Sequence, residues 1–553
     1  MKKILALLLM GTMLLIMACG APAATDADTA ADSGEAETEV ATEVENTGDP
    51  VAGGTLTFAV GGEPSSFDCH REASFTCIHP IAPFYSTLLA FDQWNYPEVE
   101  GDVAEDWTVS DDGLVYTFTI RDGITFHDGA PLTAADVKAT YDKIVFPAED
   151  QVSRRKGSYL AVESIEAPDD TTVVFTLQWP SASFLANLAS PWNFIYSADK
   201  LAEDPFWYET NIVGTGPYQF SEHTPGAFLS GVKNENYFVE GRPYLDGFRA
   251  TFIKSTGARV AAIRGGEAQI EFRGFSPADR DSMVAAMGDG VTVQEGPWLC
   301  YLSVALNHER EPFDNPDFRR ALTLALNRYE ASETLSKIAT VKFVGGVMRP
   351  GSEYAATDEE MSEWAGYGTD IEAARAEAQE LLAAAGIDED FTFTFKNRDV
   401  PMPYEPMGIW LVDQWRQIGL NVELQVVEGA DFISQRAAGD FDAAMDWECG
   451  FMDEPDLQLA KYLSLDKSGA NYSRYTNETL DDLYEQQARA TSFDERRELI
   501  REFERVLLDE NAHTFPTLWW FKINPHSSKV QGWNQLPSHY LNQTLRDVWL
   551  MPE

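Results

Sequence analysis

The sequence has few basic residues. Its 553 residues include 41 lysines and arginines against 89 aspartates and glutamates, which gives a formal net charge of −48 at pH 7. A chain with this charge repels the polyanionic backbone of a nucleic acid. The composition therefore excludes DNA or RNA as a partner.

The sequence also lacks the short motifs of common enzyme classes. We find no Gly-x-Ser-x-Gly, His-Glu-x-x-His, Walker A or dinucleotide-binding Gly-x-Gly-x-x-Gly pattern, and the eight histidines are scattered. The stretch Asn307-His308-Glu309 has no second histidine to complete a zinc-binding helix. We therefore predict a protein that is not an enzyme and that uses no cofactor or metal. A secreted hydrolase stays an alternative, because so many acidic residues contain carboxylate pairs by chance.

The apolar run at the start of the chain is too short to cross a bilayer. It extends over about 15 residues, from Ile4 to Ala18, whereas a membrane-spanning helix needs about 20. Two lysines precede the run and Cys19 follows it, which is typical of an export signal. The stretch Ile16-Met17-Ala18-Cys19 resembles a bacterial lipobox. We expect a lipoprotein signal peptide over residues 1–19, lipidation at Cys19, and an extracytoplasmic protein anchored to the membrane.

The segment that follows has no aromatic residue and no basic charge. Nine acidic residues fall between Ala21 and Pro50. Such a segment cannot bury enough apolar surface to fold, and its charges repel one another. The sequence predicts a disordered acidic tether over residues 20–52.

Cysteine is scarce. Besides Cys19 the chain has four cysteines, at positions Cys69, Cys77, Cys300 and Cys449. An even number in an exported protein favours disulfides, and four cysteines allow three pairings. Spacing alone favours Cys69 with Cys77, which leaves Cys300 for Cys449. A zinc site built from the first pair with the neighbouring His70 and His79 is the alternative.

Patterns typical of strands and helices alternate along the chain, which predicts an α/β protein. Strands are predicted at Thr55–Val60, Leu114–Ile120, Thr172–Leu177, Phe391–Phe395 and Val422–Val426. Helices are predicted from the capping box Thr133–Asp136 through Ile144, at Phe318–Leu326, at Ile371–Ala385 with Gly386 as its stop, and at Ser492–Leu508. We find no internal repeat.

A set of stretches in a fixed order covers most of the mature chain. They are Gly53–Phe58, Ala104–Phe118, Arg121–Val137, Gly214–Tyr218, Asn307–Leu322, Gly439–Asp442 and Pro516–Trp533. Together they resemble the family 5 solute-binding proteins of ATP-driven importers, the oligopeptide, dipeptide and nickel group. Most of these residues suit turns and helix caps, so they indicate the fold rather than the ligand.

The resemblance implies an α/β periplasmic-binding-protein fold with two lobes, a hinge, and an extra subdomain inserted in lobe I. Lobe I would comprise residues 53–89, 196–299 and 525–553, the subdomain residues 90–195, and lobe II residues 300–524. The lobes would close on a ligand by hinge motion and present the closed shape to the transporter.

The implied function is that of a substrate-binding lipoprotein of an ABC importer. It would capture a peptide or similar small solute between the lobes and deliver it to the permease subunits in the membrane. We expect a monomer in the periplasm or at the cell surface. An oligosaccharide-binding member of the same family is an alternative, as is a receptor or chaperone that reuses the fold without transport.

The resemblance also points to cleft residues. In the oligopeptide binders one cysteine begins the second lobe and another precedes a Glu-Pro pair in the cleft, which gives the 300–449 pairing further support. Relatives place an aromatic side chain facing the ligand where Trp298 stands. The candidate ligand contacts are Glu72, Trp298, Trp447, Glu448, Cys449, Gly450, Phe451 and Asp453.

One of these positions departs from the family pattern. Peptide-binding relatives carry an aspartate four residues before the proline, and it holds the peptide's α-ammonium by a charge-assisted hydrogen bond. This chain has Phe451 there, although Asp453 or Glu448 could substitute. We therefore expect any bound peptide to tolerate N-acetylation. The aromatic faces of Trp298, Trp447, Phe451, Trp519 and Trp520 would also suit sugar rings.

Overall fold

The computed structural model describes residues 48–388 and 390–552. The predicted signal peptide, Cys19 and most of the predicted tether lie outside the described residues. Within the described part of the chain no helix is both long enough and apolar enough to span a membrane.

The strands of the described chain, in order, are β1 (Thr55–Val60), β2 (Leu89–Phe91), β3 (Val99–Gly101), β4 (Ala104–Val109), β5 (Val115–Ile120), β6 (Val162–Glu166), β7 (Thr172–Leu177), β8 (Tyr218–Thr224), β9 (Phe228–Lys233), β10 (Gly247–Phe252), β11 (Ile270–Glu271), β12 (Val291–Leu306), β13 (Val341–Phe343), β14 (Thr392–Arg398), β15 (Asn421–Val427), β16 (Ala443–Cys449), β17 (Thr514–Ser527), β18 (Val530–Gln531) and β19 (Trp549–Leu550).

The α-helices of the same residues are α1 (Phe75–Ile81), α2 (Ala134–Val145), α3 (Phe184–Leu188), α4 (Ala198–Glu203), α5 (Thr256–Arg264), α6 (Pro277–Met287), α7 (Pro316–Leu324), α8 (Arg328–Leu335), α9 (Asp358–Ser362), α10 (Ile371–Ala384), α11 (Tyr404–Arg416), α12 (Gly429–Ala438), α13 (Pro455–Leu459), α14 (Glu478–Arg489) and α15 (Phe493–Glu504). A π-helical turn, Arg505–Glu510, continues the last of these.

The first lobe is built on a five-stranded sheet of order β11-β1-β10-β9-β8. Strand β1 runs parallel to both β10 and β11, while β8 and β9 form an antiparallel ribbon at the edge. Leu56, Phe58 and Val60 alternate along β1 and are fully buried in the core of this lobe. That core also takes residues from the end of the chain, including Trp533 and Val548, so the C-terminal segment returns to the first lobe.

The subdomain is a separate antiparallel sheet of order β4-β5-β7-β6, packed against α2 and α3. Its core runs from Leu88 to Ile195 and is distinct from that of the first lobe. The predicted capping box opens α2: Thr133 and Asp136 exchange side-chain and backbone hydrogen bonds.

The second lobe is built on a six-stranded sheet of order β13-β17-β12-β16-β14-β15. Strands β14, β15 and β16 are parallel, whereas β12, β13 and β17 pair antiparallel. Side chains of β12 alternate between two cores: Leu302 and Val304 pack on one face of the sheet, and Leu299 and Tyr301 on the other. Both faces are buried, as expected for a sheet between helical layers.

Strands β12 and β17 connect the two lobes. They pair antiparallel over most of their length, with register shifts between Pro297 and Ser303. At the far end of β17 the side-chain amide of Asn524 donates to the carbonyl oxygen of Glu271 in the first lobe at 2.8 Å. The proposed limits of lobe II, residues 300 and 524, therefore fall inside strands that cross from one lobe to the other.

Candidate functional site

The candidate site lies where the parallel strands of the second lobe end. Strands β14 and β16 run side by side in the same direction and finish at Arg398 and Cys449. Side chains at the carboxyl ends of parallel strands meet at one edge of the sheet, and ligands of open α/β sheets bind outside that edge. Three side chains near this edge, those of Arg398, Trp447 and Phe451, are central to the site.

Trp447 lies between two guanidinium groups. The carbon of the Arg436 guanidinium is 3.9 Å from the ring centroid, and that of Arg398 is 4.7 Å away. Arg436 is neutralised, because it forms an ion pair with Asp446. Arg398 is not: within the described residues it has no ion pair, its Nη1 donates only to the hydroxyl of Tyr404 at 3.4 Å, and its buried Nε has no hydrogen-bond partner. The site thus holds one uncompensated positive charge beside an indole ring.

A chain of aromatic contacts runs from this arginine toward the first lobe, and we call it the aromatic wall. It consists of Trp447, Tyr404, Trp520, Trp298 and His539, with ring centroids 5.7, 6.1, 5.3 and 5.7 Å apart in that order. The first four pack in or against a core of the second lobe, Trp298 standing two residues before the limit predicted for that lobe, and His539 belongs to the first lobe. The buried Nε1 of Trp520 has no hydrogen-bond partner. The wall is a largely buried row of rings in edge-to-face contact, with one indole N–H that has no partner among the described residues.

The ring contacts continue within the first lobe and the subdomain. His539 packs on Tyr540 at 4.1 Å, and Tyr540 packs on Trp192 at 5.4 Å. The guanidinium of Arg155 lies 4.1 Å from the Trp192 ring and 6.0 Å from that of Phe451, which reaches across from the second lobe. The site therefore has Arg398 at one end and Arg155 at the other.

Phe451 belongs to the loop that follows β16, and two contacts hold the start of this loop. The backbone N–H of Gly450 donates to the carbonyl oxygen of Leu299 at 3.0 Å. A Cβ at Gly450 would stand 2.9 Å from the Leu299 side chain, so that side chain would have to shift to admit any other residue. Cys449 is directly opposite Cys300 on β12, with the Cα atoms 4.1 Å apart. Phe451 is thereby directed at the first-lobe core, against which it packs.

The two acids that could have replaced the missing aspartate are in different situations. Asp453 is buried, and both of its carboxylate oxygens accept from Nε of Arg349, at 2.9 and 2.8 Å. Burial raises the pKa of this carboxyl, against the charge of Arg349. Burial likewise raises the pKa of Glu448, whose nearest cation, Lys461 at 3.7 Å, is closer to Asp446. Asp453 already has its cation, so it is not free to bind an ammonium group.

The first-lobe candidate, Glu72, is half-buried beside Arg155. Its carbonyl oxygen accepts from Nη1 of Arg155, and its carboxylate accepts from the hydroxyl of Ser65 at 2.9 Å. Trp519, by contrast, points away from the cleft: its Nε1 donates to the carbonyl oxygen of Gly346, and its ring lies in a core of the second lobe. Trp520 points to the opposite face of the sheet, as successive strand residues do, and contacts Trp298 and Tyr404 there.

The four cysteines of the described chain form two close pairs, as the spacing favoured. The sulfur atoms of Cys69 and Cys77 are 2.11 Å apart, and those of Cys300 and Cys449 are 2.08 Å apart. The zinc alternative does not fit this geometry. Nε2 of His70 contacts the carbonyl oxygen of Phe194, whereas Nε2 of His79 contacts that of His539, so the two imidazoles serve different backbone groups.

The lobes touch on the side of the subdomain. The hydroxyl of Ser183 donates to the carboxylate of Asp456 at 2.7 Å, and the backbone N–H of Asp453 donates to the Tyr96 hydroxyl at 2.7 Å. A cavity of about 400 Å³ lies next to these contacts. Arg496 on its lining is paired with Glu454 and Asp456, and Asp111 is the other charged residue of the described lining, so the cavity has no unpaired cation. The aromatic wall is the better candidate site.

The family of the chain follows from a direct comparison. The family model described as bacterial extracellular solute-binding proteins, family 5 Middle, matches residues 98–470. The chain belongs to this family. Family membership confirms the predicted resemblance and makes this protein a solute-binding protein rather than an enzyme.

Relatives and solved structures agree with this assignment. Di/tripeptide-binding protein 1 of Pseudomonas aeruginosa (strain UCBPP-PA14) is 26% identical over 484 residues, 82% of this chain and 87% of that protein. The oligopeptide-binding protein AppA of Bacillus subtilis (strain 168) is 28% identical over 499 residues, 85% of this chain and 87% of that protein. The substrate-binding protein CtaP of Listeria monocytogenes has a TM-score of 0.78 at 24% identity, covering 90% of this chain and 99% of its own. That likeness confirms the two-lobed α/β fold.

Sequence reasoning missed two charged residues of the site in this solute-binding protein. Arg398 ends a strand whose core, Phe391–Phe395, was predicted, and polar residues just after a buried strand are a usable signal for a site. Arg155 sits in the basic run Arg154-Arg155-Lys156, which has the appearance of a solvated loop. Only the packing of Trp192 and Phe451 around it shows that it is buried.

Proposed function

We propose that this protein is the extracytoplasmic substrate-binding lipoprotein of an ATP-driven importer and that its solute is a small peptide or a peptide-like carboxylate. The solute would be bound along the aromatic wall between the lobes and delivered to the membrane permease. Support comes from the family assignment and from relatives named for di/tripeptide and oligopeptide binding. The strands β12 and β17 suit hinge closure around a ligand.

The observation that carries the ligand class is the uncompensated Arg398. A planar guanidinium with free donors matches a carboxylate in geometry, and such charge-assisted bonds are the strong ones. Arg398 is half-buried, and its buried Nε has no hydrogen-bond partner among the described residues, so a ligand carboxylate would satisfy both the charge and the orphaned Nε. The rings of Tyr404 and Trp447, centred 4.8 and 4.7 Å from the guanidinium carbon, would shield part of this contact from water.

The candidate contacts then have distinct roles. Trp298, Trp447 and Phe451 would touch the solute, and Cys449 and Gly450 would fix the loop that carries Phe451. Glu72 and Glu448 would border the cleft. Asp453 would act at a distance, through Arg349, by holding the same loop.

Domain limits, anchor and redox state belong to the same proposal. The separate cores support a subdomain near residues 90–195 within a first lobe of residues 53–89, 196–299 and 525–553, and a second lobe of residues 300–524.

The cysteine pairs would be disulfides in an oxidising compartment, and non-reducing peptide mapping that found a 69–300 link would contradict this pairing. Cys19 would carry the lipid.

The test compares tripeptide pools that have a free C-terminal carboxylate with pools that have a C-terminal amide. We expect retention of the carboxylate pool and binding that is about 10- to 100-fold weaker for its best member after Arg398→Met, from the loss of about 1.5–3 kcal/mol. Arg416→Met is the matched control, since Arg416 is an exposed arginine of the same lobe whose Nη2 donates to the carbonyl oxygen of Val422. Equal affinity of the Arg398 variant would contradict the carboxylate assignment.

An oligosaccharide is the second candidate, and the aromatic wall favours it. Indole faces such as those of Trp298 and Trp520 suit the apolar faces of sugar rings. A neutral sugar would not need the charge of Arg398, so its affinity would survive Arg398→Met. Binding of β-linked oligosaccharides with the same affinity in the wild-type protein and the Arg398→Met variant would support this alternative.

A further inference from the structure

The end of the cleft opposite Arg398 has a second buried cation. Arg155 is only 6% exposed, and its guanidinium is enclosed by rings from both lobes, Trp192 on one side and Phe451 on the other. A cation over an aromatic face is stabilised by the ring quadrupole, more strongly where water is excluded. The contact with Phe451 exists only when the second lobe lies against the first.

The charge of Arg155 has no counter-ion in the described chain. Its Nη1 donates to the carbonyl oxygen of Glu72, and no carboxylate of the described residues lies within ion-pair distance. The charged groups that face it are the Glu72 carboxylate, which accepts from Ser65, and the neighbouring guanidinium of Arg154. Burial lowers the pKa of Arg155 to about 9, which leaves it protonated at neutral pH. A buried cation without a partner is costly, so such a site favours the binding of an anion.

We propose that Arg155, Trp192 and Phe451 form a second anion subsite, so that the solute carries a negative group at each end of the aromatic wall. This inference rests on the proposed function and narrows its substrate class to N-blocked, acid-capped peptides or elongated dicarboxylates. A free ammonium at this end would lie beside a like charge in a medium of low dielectric constant, where repulsion is strong. Asp453 does not relieve that repulsion, because Arg349 occupies it.

The subsite also couples binding to closure. Arg155 and Trp192 come from the first-lobe side, whereas Phe451 comes from the loop after β16 in the second lobe. An anion on Arg155 would therefore favour the state in which Phe451 covers it, and a ligand shifts an equilibrium toward the state it binds more tightly.

The test uses three tripeptide pools with a free C-terminal carboxylate that differ only at the N-terminus: free, acetylated and succinylated. Succinylation adds a carboxylate at that end, whereas acetylation only removes the positive charge. We expect the wild-type protein to bind the best succinylated member about 10-fold more tightly than its acetylated form, and the free form least. Calorimetry on the chosen peptides gives the ratios.

Substitutions in and beside the subsite test whether it causes the preference for succinylated peptides. Arg155→Met should bring the succinyl-to-acetyl ratio close to one, and Arg154→Met, which alters the exposed neighbouring arginine, should leave the ratio unchanged. Phe451→Asp changes a half-exposed loop residue and should reverse the order of affinities, so that free peptides bind most tightly. This variant keeps the proposal testable if the Arg155 variant does not fold. A wild-type preference for free over acetylated peptide would overturn the subsite but not the proposed function. Retention of none of the three pools would overturn both.

Discussion

Lys522 on strand β17 is a buried ammonium group at the junction of the lobes. It is 1% exposed, and its Nζ lies 5.8 Å from the centroid of the Trp533 ring. Within the described residues it has no ion pair. Burial lowers its pKa to about 7, opposed by the charge of Glu271, and burial also raises the pKa of Glu271. Both shifts favour the neutral forms, so the folded state is stabilised when Lys522 loses its proton.

The sign of the resulting pH dependence follows from the two pKa values. An unfolded lysine has a pKa of about 10.4, so between pH 10.4 and 7 the unfolded chain binds the proton more readily and folding weakens as the pH falls. We expect Lys522→Met to raise the free energy of unfolding at pH 7 by about 2 to 4 kcal/mol, with a gain that shrinks toward pH 10. Urea unfolding at pH 6.5, 8 and 9.5 measures the difference in the free energy of unfolding between the variant and the wild-type protein. The exposed Lys254→Met is the control, and a gain independent of pH would refute the explanation.

Two short helices form the contact that closes the subdomain onto the second lobe. Ser183 immediately precedes α3, and its hydroxyl donates to Asp456 in the first turn of α13 at 2.7 Å. Gln487 on α14 donates to the same carboxylate at 2.7 Å. One residue away the backbone N–H of Ala182 donates to the carbonyl oxygen of Ala488 at 3.0 Å. The bonds of Ser183 and Ala182 join the subdomain to the second lobe, so they depend on the closed arrangement, and they lie apart from the aromatic wall.

Removing one of these bonds should weaken ligand binding without touching the ligand. Ser183→Ala deletes one hydrogen bond to Asp456, which keeps those from Gln487 and Arg496, so the closed state would lose only about 1 kcal/mol. Because binding requires closure, the dissociation constant should rise about fivefold. Calorimetry with the best-bound peptide measures the change. Ser230→Ala is the matched control, since that hydroxyl donates within the first lobe to the carbonyl oxygen of Glu222. Equal affinities of the two variants would show that this contact does not bias closure.

Most of the helices and strands expected from the sequence are confirmed at nearly the predicted limits. Strands β1 and β7 begin and end where predicted, and α10 ends within a residue of the predicted stop, before Gly386 at φ +73°. Ser492 accepts from the backbone N–H of Glu495, so α15 begins as its capping sequence indicates. These features depend on neighbours within a few residues, which is why local patterns suffice.

For the whole molecule, the predicted attachment to the membrane depends on residues before the folded body. If Cys19 is lipidated and the acidic segment is only a tether, Cys19→Ser should release the protein into the soluble fraction with its melting temperature unchanged. The acyl chains contribute roughly 0.8 kcal/mol per buried CH₂, whereas a body with net negative charge has no electrostatic attraction to anionic lipid. Fractionation after a high-salt wash is the measurement, and continued membrane association of the variant would contradict lipidation.

The sequence by itself determined the family and the α/β class, and its spacing favoured the two cysteine pairs that the structure brings close together. Each of these rests on local patterns or on stretches long enough to match relatives. Only the tertiary structure decided the charges of the site. Arg155 and Arg398 are 243 positions apart, and nothing in either local sequence indicates that aromatic rings pack against both of them while no described carboxylate pairs with either. The electrostatic environment of a side chain is set by everything that packs around it, and that is decided only when the lobes fold and close.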